Sequence, residues 1–155
     1  MSSIVVQPPT QSQRGSILYP PLVVQTPEQS AIFLQVLVYD SHDNILSGDS
    51  VQGSMTRSPA MLPEELQQSQ GGAGTSTATE NYEFTIFNDI VIRKAGTYRL
   101  VVNRYSIDYT VGESIHIDQV VSRPVRVRKS GVALESPSID EQKLLDSLRE
   151  GHLMA

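Results

Sequence analysis

Residues 32–39, Ile-Phe-Leu-Gln-Val-Leu-Val-Tyr, set Ile32, Leu34, Val36 and Val38 on one side of an extended chain and Phe33, Leu37 and Tyr39 on the other. A period of two suits a strand and not a helix, and apolar residues on both sides predict a central strand covered on both faces. The short polar residues of 40–44, Asp-Ser-His-Asp-Asn, then favour a tight turn. Residues 82–92 alternate again until Phe87-Asn88-Asp89 breaks the phase. Residues 93–96, Arg-Lys-Ala-Gly, read as a turn, and 97–105 resume extended chain rich in β-formers, so a hairpin is expected across 93–96. Val125 and Val127 alternate with Arg126 and Arg128, which gives a strand with one apolar and one cationic face. Repeated strands of this kind in 155 residues predict a mainly β chain, a two-layer sandwich forming one domain over 1–155.

Proline punctuates the first part of the chain. Residues 4–9 and 19–25 are short Val/Ile runs carrying Pro8-Pro9 and Pro20-Pro21. Proline donates no ladder hydrogen bond, so these runs belong at an edge or in a split strand; the alternative is polyproline ligands for an aromatic groove. Residues 10–16 read as a polar loop ending in Arg14-Gly15. Residues 63–80 carry almost no large apolar side chain and are expected to be a disordered insertion. Near the end, Ser138 followed by Glu141 is a capping box, Leu144, Leu145 and Leu148 form a stripe, and Gly151 can close the turn. A helix over about 139–150, packed on the sandwich by that stripe, follows.

Reactive chemistry has little to build on. Cysteine is absent, and His42, His116 and His152 stand alone. His116 and Asp118, two apart, would share one face of a strand, but no third group orients them. Gly71-Gly72-Ala73-Gly74 lacks the strand before and helix after that a phosphate loop needs. The expectation is a protein that is not an enzyme, with no metal and no cofactor. The first residues lack a basic, apolar leader, and no run approaches the roughly 20 apolar residues of a membrane span. No membrane association is expected, and nucleus and cytoplasm are the expected compartments.

Charge is unevenly spread. The net charge is -5, yet residues 93–129 hold eight basic side chains against three acidic ones, while 1–92 hold two against nine. A locally basic segment suits an anionic partner, or a solvated strand face balanced by acids elsewhere. The run 123–129, Arg-Pro-Val-Arg-Val-Arg-Lys, could serve as a nuclear localisation signal, although its alternation favours a strand with an exposed basic face.

Taken in order, Val5-Val6-Gln7-Pro8, Pro20-Pro21-Leu22-Val23-Val24, Phe87-Asn88-Asp89-Ile90-Val91-Ile92, Gly96-Thr97-Tyr98-Arg99-Leu100 and Ser122-Arg123-Pro124-Val125-Arg126-Val127 resemble the velvet domain of fungal regulators. The Gly-Thr-Tyr-Arg-Leu block is the most specific piece, and the resemblance spans nearly the whole chain. It implies an immunoglobulin-like (Rel-like) β-sandwich with one C-terminal α-helix. It also implies a transcriptional regulator that forms homo- or heterodimers with another velvet-family protein, binds double-stranded DNA, and couples fungal development and sporulation to secondary metabolism. The chain departs from the family in the loop after the first strand, where many Arg and Lys are usual and only Arg14 is present, and past the helix, where a basic strand is usual.

On that resemblance, Gln11, Gln13 and Arg14 are expected near DNA, with Arg126, Arg128 and Lys129 as a second phosphate surface. Arginine suits phosphate or guanine, and glutamine suits adenine. The second function class is a protein-interaction subunit that does not read DNA and serves as partner to a basic velvet relative. An unrelated carbohydrate-binding or capsid-like sandwich is a third, less supported because such binders display aromatics and this chain has no Trp and three Phe.

Overall fold

The computed structural model describes residues 2–29, 31–61 and 82–151. In chain order the strands are β1 (Ser3–Val6), β2 (Gln11–Gln13), β3 (Leu22–Pro27), β4 (Ile32–Asp40), β5 (Val51–Gln52), β6 (Thr56–Arg57), β7 (Ala60–Met61), β8 (Tyr82–Phe87), β9 (Val91–Ile92), β10 (Gly96–Asp108), β11 (Glu113–Val121) and β12 (Val125–Arg128). One α-helix follows, α1 (Ile139–Glu150). A four-stranded sheet runs β1-β3-β8-β7, and a larger one runs β2-β12-β10-β4-β6 with β11 also on β10. β5 and β9 form a two-stranded ribbon. The chain is thus mainly β, with a sandwich-like arrangement and one C-terminal helix, as expected.

The alternation explains the layers. Leu22 and Val24 of β3 face Leu34, Val36, Leu100, Val102, Val125 and Val127 of the larger sheet, and all are buried in one cluster. Val23, between them, points the other way and joins Val6, Phe84 and Ile86 under Leu144, Leu145 and Leu148 of α1. The four-stranded sheet is therefore covered on both faces, which is why Phe84, Thr85, Ile86 and Phe87 are all buried. Each leucine stripe residue removed from water contributes about 1.5–3 kcal/mol. Ser138 caps α1 as expected: its Oγ accepts from the Glu141 amide at 3.1 Å, and Glu141 Oε1 accepts from the Ser138 amide at 3.0 Å. Glu141 Oε2 also accepts from the Gln7 amide at 2.8 Å, which ties the helix start to the end of β1.

Five expectations are corrected. β4 has one buried face, but Phe33, Leu37 and Tyr39 are only half-buried, because no described layer covers that side of the larger sheet. The hairpin across 93–96 does not form: β8 and β10 lie in different sheets, and β9 pairs with β5. The phase break is the reason. Asp89 accepts from the Ser54 amide at 3.0 Å and pairs with Arg57 at 3.1 Å, so the chain after β8 is anchored to 54–57 and crosses between layers. The hairpin that does form joins β10 to β11, with the Gly112 amide on the Asp108 carbonyl.

β3 is interior and not an edge; Pro20 and Pro21 precede it, leaving the amides of residues 22–26 free to pair with both β1 and β8. β1 is the edge, and the first strand is indeed split, since β1 and β2 lie in different sheets on either side of Pro8-Pro9. Within 10–16, Gln11–Gln13 is a strand and not loop. His116 and Asp118 do not share a face. The register shifts between Arg104 and Tyr105, so His116 lies beside Tyr105 while Asp118 meets the buried Arg104. The expected insertion at 63–80 lies outside the described residues, as does His152.

Candidate nucleic-acid interface

β2 carries no apolar side chain and becomes a strand through its neighbour. It pairs in parallel with β12, with Gln11 beside Arg126, Ser12 beside Val127 and Gln13 beside Arg128. The Arg126 amide donates to the Thr10 carbonyl and the Arg14 amide to the Arg128 carbonyl, both at 2.8 Å. Ser12, Val125 and Val127 turn inward and are buried, which leaves Gln11, Gln13, Arg126 and Arg128 on one exposed outer face. Arg14 and Lys129 are exposed at the end of the same pair of strands. The six residues expected from the sequence, which lie in two segments more than 110 positions apart, are thus neighbours at one sheet edge.

Their side chains are lightly committed. Arg128 Nη1 lies 3.5 Å from Gln11 Oε1, the outer limit of a hydrogen bond. Among the described residues, none of Arg14, Arg126, Arg128 and Lys129 forms a salt bridge. On the far side β12 pairs with the start of β10, with Thr97 beside Arg126 and Gly96 beside Val127. Between them lies a shallow depression of about 410 Å³ lined by Gly96, Thr97, Arg126, Arg128 and Lys129 with Ala95 and Val127. A second groove, about 280 Å³, runs along the other side of β2, where Ile17, Tyr19, Val132 and Leu134 join Gln11 and Gln13.

Several supporting residues were not anticipated. Glu135 holds β2 in place: it accepts from the Thr10 amide at 2.9 Å, the Gln11 amide at 3.1 Å and the Thr10 hydroxyl. It also pairs with Arg123 at 3.6 Å, and Arg123 Nε donates to the Pro8 carbonyl at 3.0 Å. Burial alone would raise the Glu135 carboxyl, but the Thr10 and Gln11 donors and Arg123 outweigh it and hold it below the usual carboxylate value. Arg93 and Lys94 are exposed in the turn leading to β10, Arg93 donating to Gln52 Oε1 at 2.8 Å. A lone glutamate 124 residues from Gln11 gives no local signal of such a role.

The arrangement can bind anions and offers hydrogen-bonding amides beside them. Among the described residues no group of three His, Asp or Glu side chains is placed to hold a metal, and no helix is long and apolar enough to cross a membrane. No known family model matches the chain, and no curated protein matches it.

Proposed function

We propose that this chain is a velvet-type transcriptional regulator that contacts double-stranded DNA through the β2–β12 edge and works as a dimer with a velvet-family protein. The observation that carries the proposal is the parallel pairing that sets Gln11, Gln13, Arg126 and Arg128 on one exposed face flanked by Arg14 and Lys129. Four cations in one place attract phosphates and release their counterions, which for four contacts gives a salt slope of about -3.6 on duplex DNA. Two glutamine amides on β2, beside the guanidinium groups of β12, add groups able to read base edges, and a strand pair is among the elements that enter a groove. The control of development and secondary metabolism is what the velvet resemblance implies, and a nuclear and cytoplasmic location is proposed with it.

A mobility-shift series with duplex DNA tests the reading. Retarded complexes that weaken as salt rises are expected; absence of any complex at low salt contradicts it.

The second reading, a partner subunit that does not itself read DNA, is favoured by the single cation of residues 10–16 and by the half-buried apolar side chains on the outer face of β4. Mixing with a basic velvet protein and measuring mass by light scattering separates the two. A pure partner subunit enters DNA complexes only in the mixture.

A further inference from the structure

β10 shares one of its sides between two strands, β12 along its start and β11 along the rest. The far edge of β11 pairs with no strand among the described residues. Which backbone groups that edge offers follows from the ladder. The Ile107 amide donates to the Ala31 carbonyl on the β4 side, and the Leu100 carbonyl accepts from the Ser122 amide, so the even-numbered residues of β10 turn their backbone groups toward β11. Glu113 opposite Asp108 and Ile115 opposite Ser106 therefore direct their amides and carbonyls to β10, whereas those of Ser114 and His116 point outward. Natural edges are kept from pairing by shortness, by Lys or Pro, or by a bulge. β11 is nine residues long, and residues 105–122 contain no Lys, Arg or Pro. An extra residue at Ile117 bends the strand, since Arg104 meets Asp118 and Tyr105 meets His116, but residues 113–116 remain regular.

The side chains of this stretch are uncovered. Ser106, Asp108, Glu113 and Ile115 continue the face that carries Leu100 and Val102 in the core, yet Ile115 is 58% exposed, so the hairpin runs past the opposing layer. Of the nine large apolar side chains exposed among the described residues, five lie between 109 and 121: Tyr109, Val111, Ile115, Ile117 and Val121. That concentration sets the hairpin apart from the rest of the surface. Asp108 and Glu113 stand directly opposite each other on the same face as Ile115, and among the described residues neither forms a salt bridge. Like charges so placed destabilise a strand pair.

We infer that the edge at 113–116 is a docking site for an extended linear segment of another protein, which adds to the sheet as a strand beside β11. In strand addition the main chain supplies affinity and alternate side chains supply selectivity. The outward amides and carbonyls of Ser114 and His116 call for extended main chain, the uncovered Ile115 calls for an apolar neighbour, and the facing carboxylates of Asp108 and Glu113 call for a cation that relieves their repulsion. Glu113 and Ile115 are two positions apart and share a face, so a segment with Lys or Arg two residues from Val or Ile meets both at once. Neither the DNA-binding reading nor pairing with a velvet-family protein enters this inference.

Fluorescence anisotropy of a labelled synthetic peptide, acetyl-Lys-Thr-Val-Thr-Val-Thr-Lys-amide, titrated with the full chain tests this. Saturable binding is expected, and it should weaken about tenfold or more when the middle threonine is replaced by proline or when both lysines are replaced by glutamate. On the protein, Ser114→Pro removes an outward amide while leaving the ladder to β10 in place, and Glu113→Lys reverses the charge; each should weaken binding about tenfold or more, with unchanged circular dichroism and melting temperature showing that the fold is intact. No saturable binding, or equal binding by the proline peptide or by Ser114→Pro, overturns strand addition. Equal binding by the glutamate peptide, or indifference to Glu113→Lys, overturns the cationic segment. A dimer in light scattering that becomes a monomer in Ser114→Pro shows the edge taken by a second copy and refutes the linear partner.

Discussion

Arg104 and Asp118 form a two-pronged ion pair inside the end of the sandwich, with Nε to Oδ1 at 3.0 Å and Nη2 to Oδ2 at 2.9 Å. Asp118 also accepts from the Ser2 amide at 3.0 Å and the Ser2 hydroxyl at 2.9 Å, so β11 is joined both to β10 and to the start of β1. The Arg104 side chain is only 7% exposed, and removing its partner leaves a buried cation unmatched. Asp118→Ala is expected to cost about 3 kcal/mol in denaturant unfolding; a loss within experimental error contradicts the account.

The same carboxylate predicts how stability depends on pH. Burial alone would raise Asp118, but Ser2 and Arg104 outweigh it, and the carboxyl sits below its ordinary 3.8. Glu135 sits below 4.5 in the same way. A carboxyl depressed in the folded chain takes up its proton first in the unfolded chain, so its contribution is complete above the unfolded value and lost as pH falls through the folded one. Melting temperature should be level from neutral pH to about 5 and decline below about 4. In Asp118→Asn that acid decline becomes shallower; a melting temperature that rises on acidification contradicts the assignment.

Thr26 and Thr85 are each 1% exposed, and among the described residues neither hydroxyl has a hydrogen-bond partner. Valine has nearly the same shape without the buried hydroxyl. Thr85→Val should therefore stabilise the fold by about 1 kcal/mol, measured as a higher urea midpoint with unchanged slope. A lower midpoint indicates that the hydroxyl is hydrogen-bonded in solution.

α1 offers a graded series. Leu145, fully buried against the four-stranded sheet, should lose about 2–5 kcal/mol as alanine. Ser138→Ala removes a cap and should lose about 1 kcal/mol. Thermal or denaturant unfolding that ranks these two in the opposite order contradicts the packing described for the helix.

Legibility of the sequence followed the range of the interaction. α1 was readable from Ser138, Glu141 and three leucines because caps and stripes are local. The cationic face of β12 was readable because Val125 and Val127 alternate with Arg126 and Arg128 within four residues. β2 was not, since Gln-Ser-Gln has no apolar residue and owes its strand to β12. Turn signals at 93–96 coincide with a bend at Lys94 but carry no information on which sheet the chain enters next. The register shift between Arg104 and Tyr105, which separates His116 from Asp118, depends on a partner strand and has no mark in either residue. The six residues of the candidate interface were therefore nameable only singly from the sequence, whereas their assembly at one edge and the support from Glu135 required the fold.

Fluorescence anisotropy of labelled duplex DNA against salt concentration reads the contribution of the β2–β12 cations to DNA binding. For the unaltered chain the logarithm of affinity should fall linearly with the logarithm of salt, and Arg126→Ala with Arg128→Ala should lower affinity and reduce the slope by about 2. Binding whose strength and salt slope are the same in the double variant places the DNA contact elsewhere and contradicts the account.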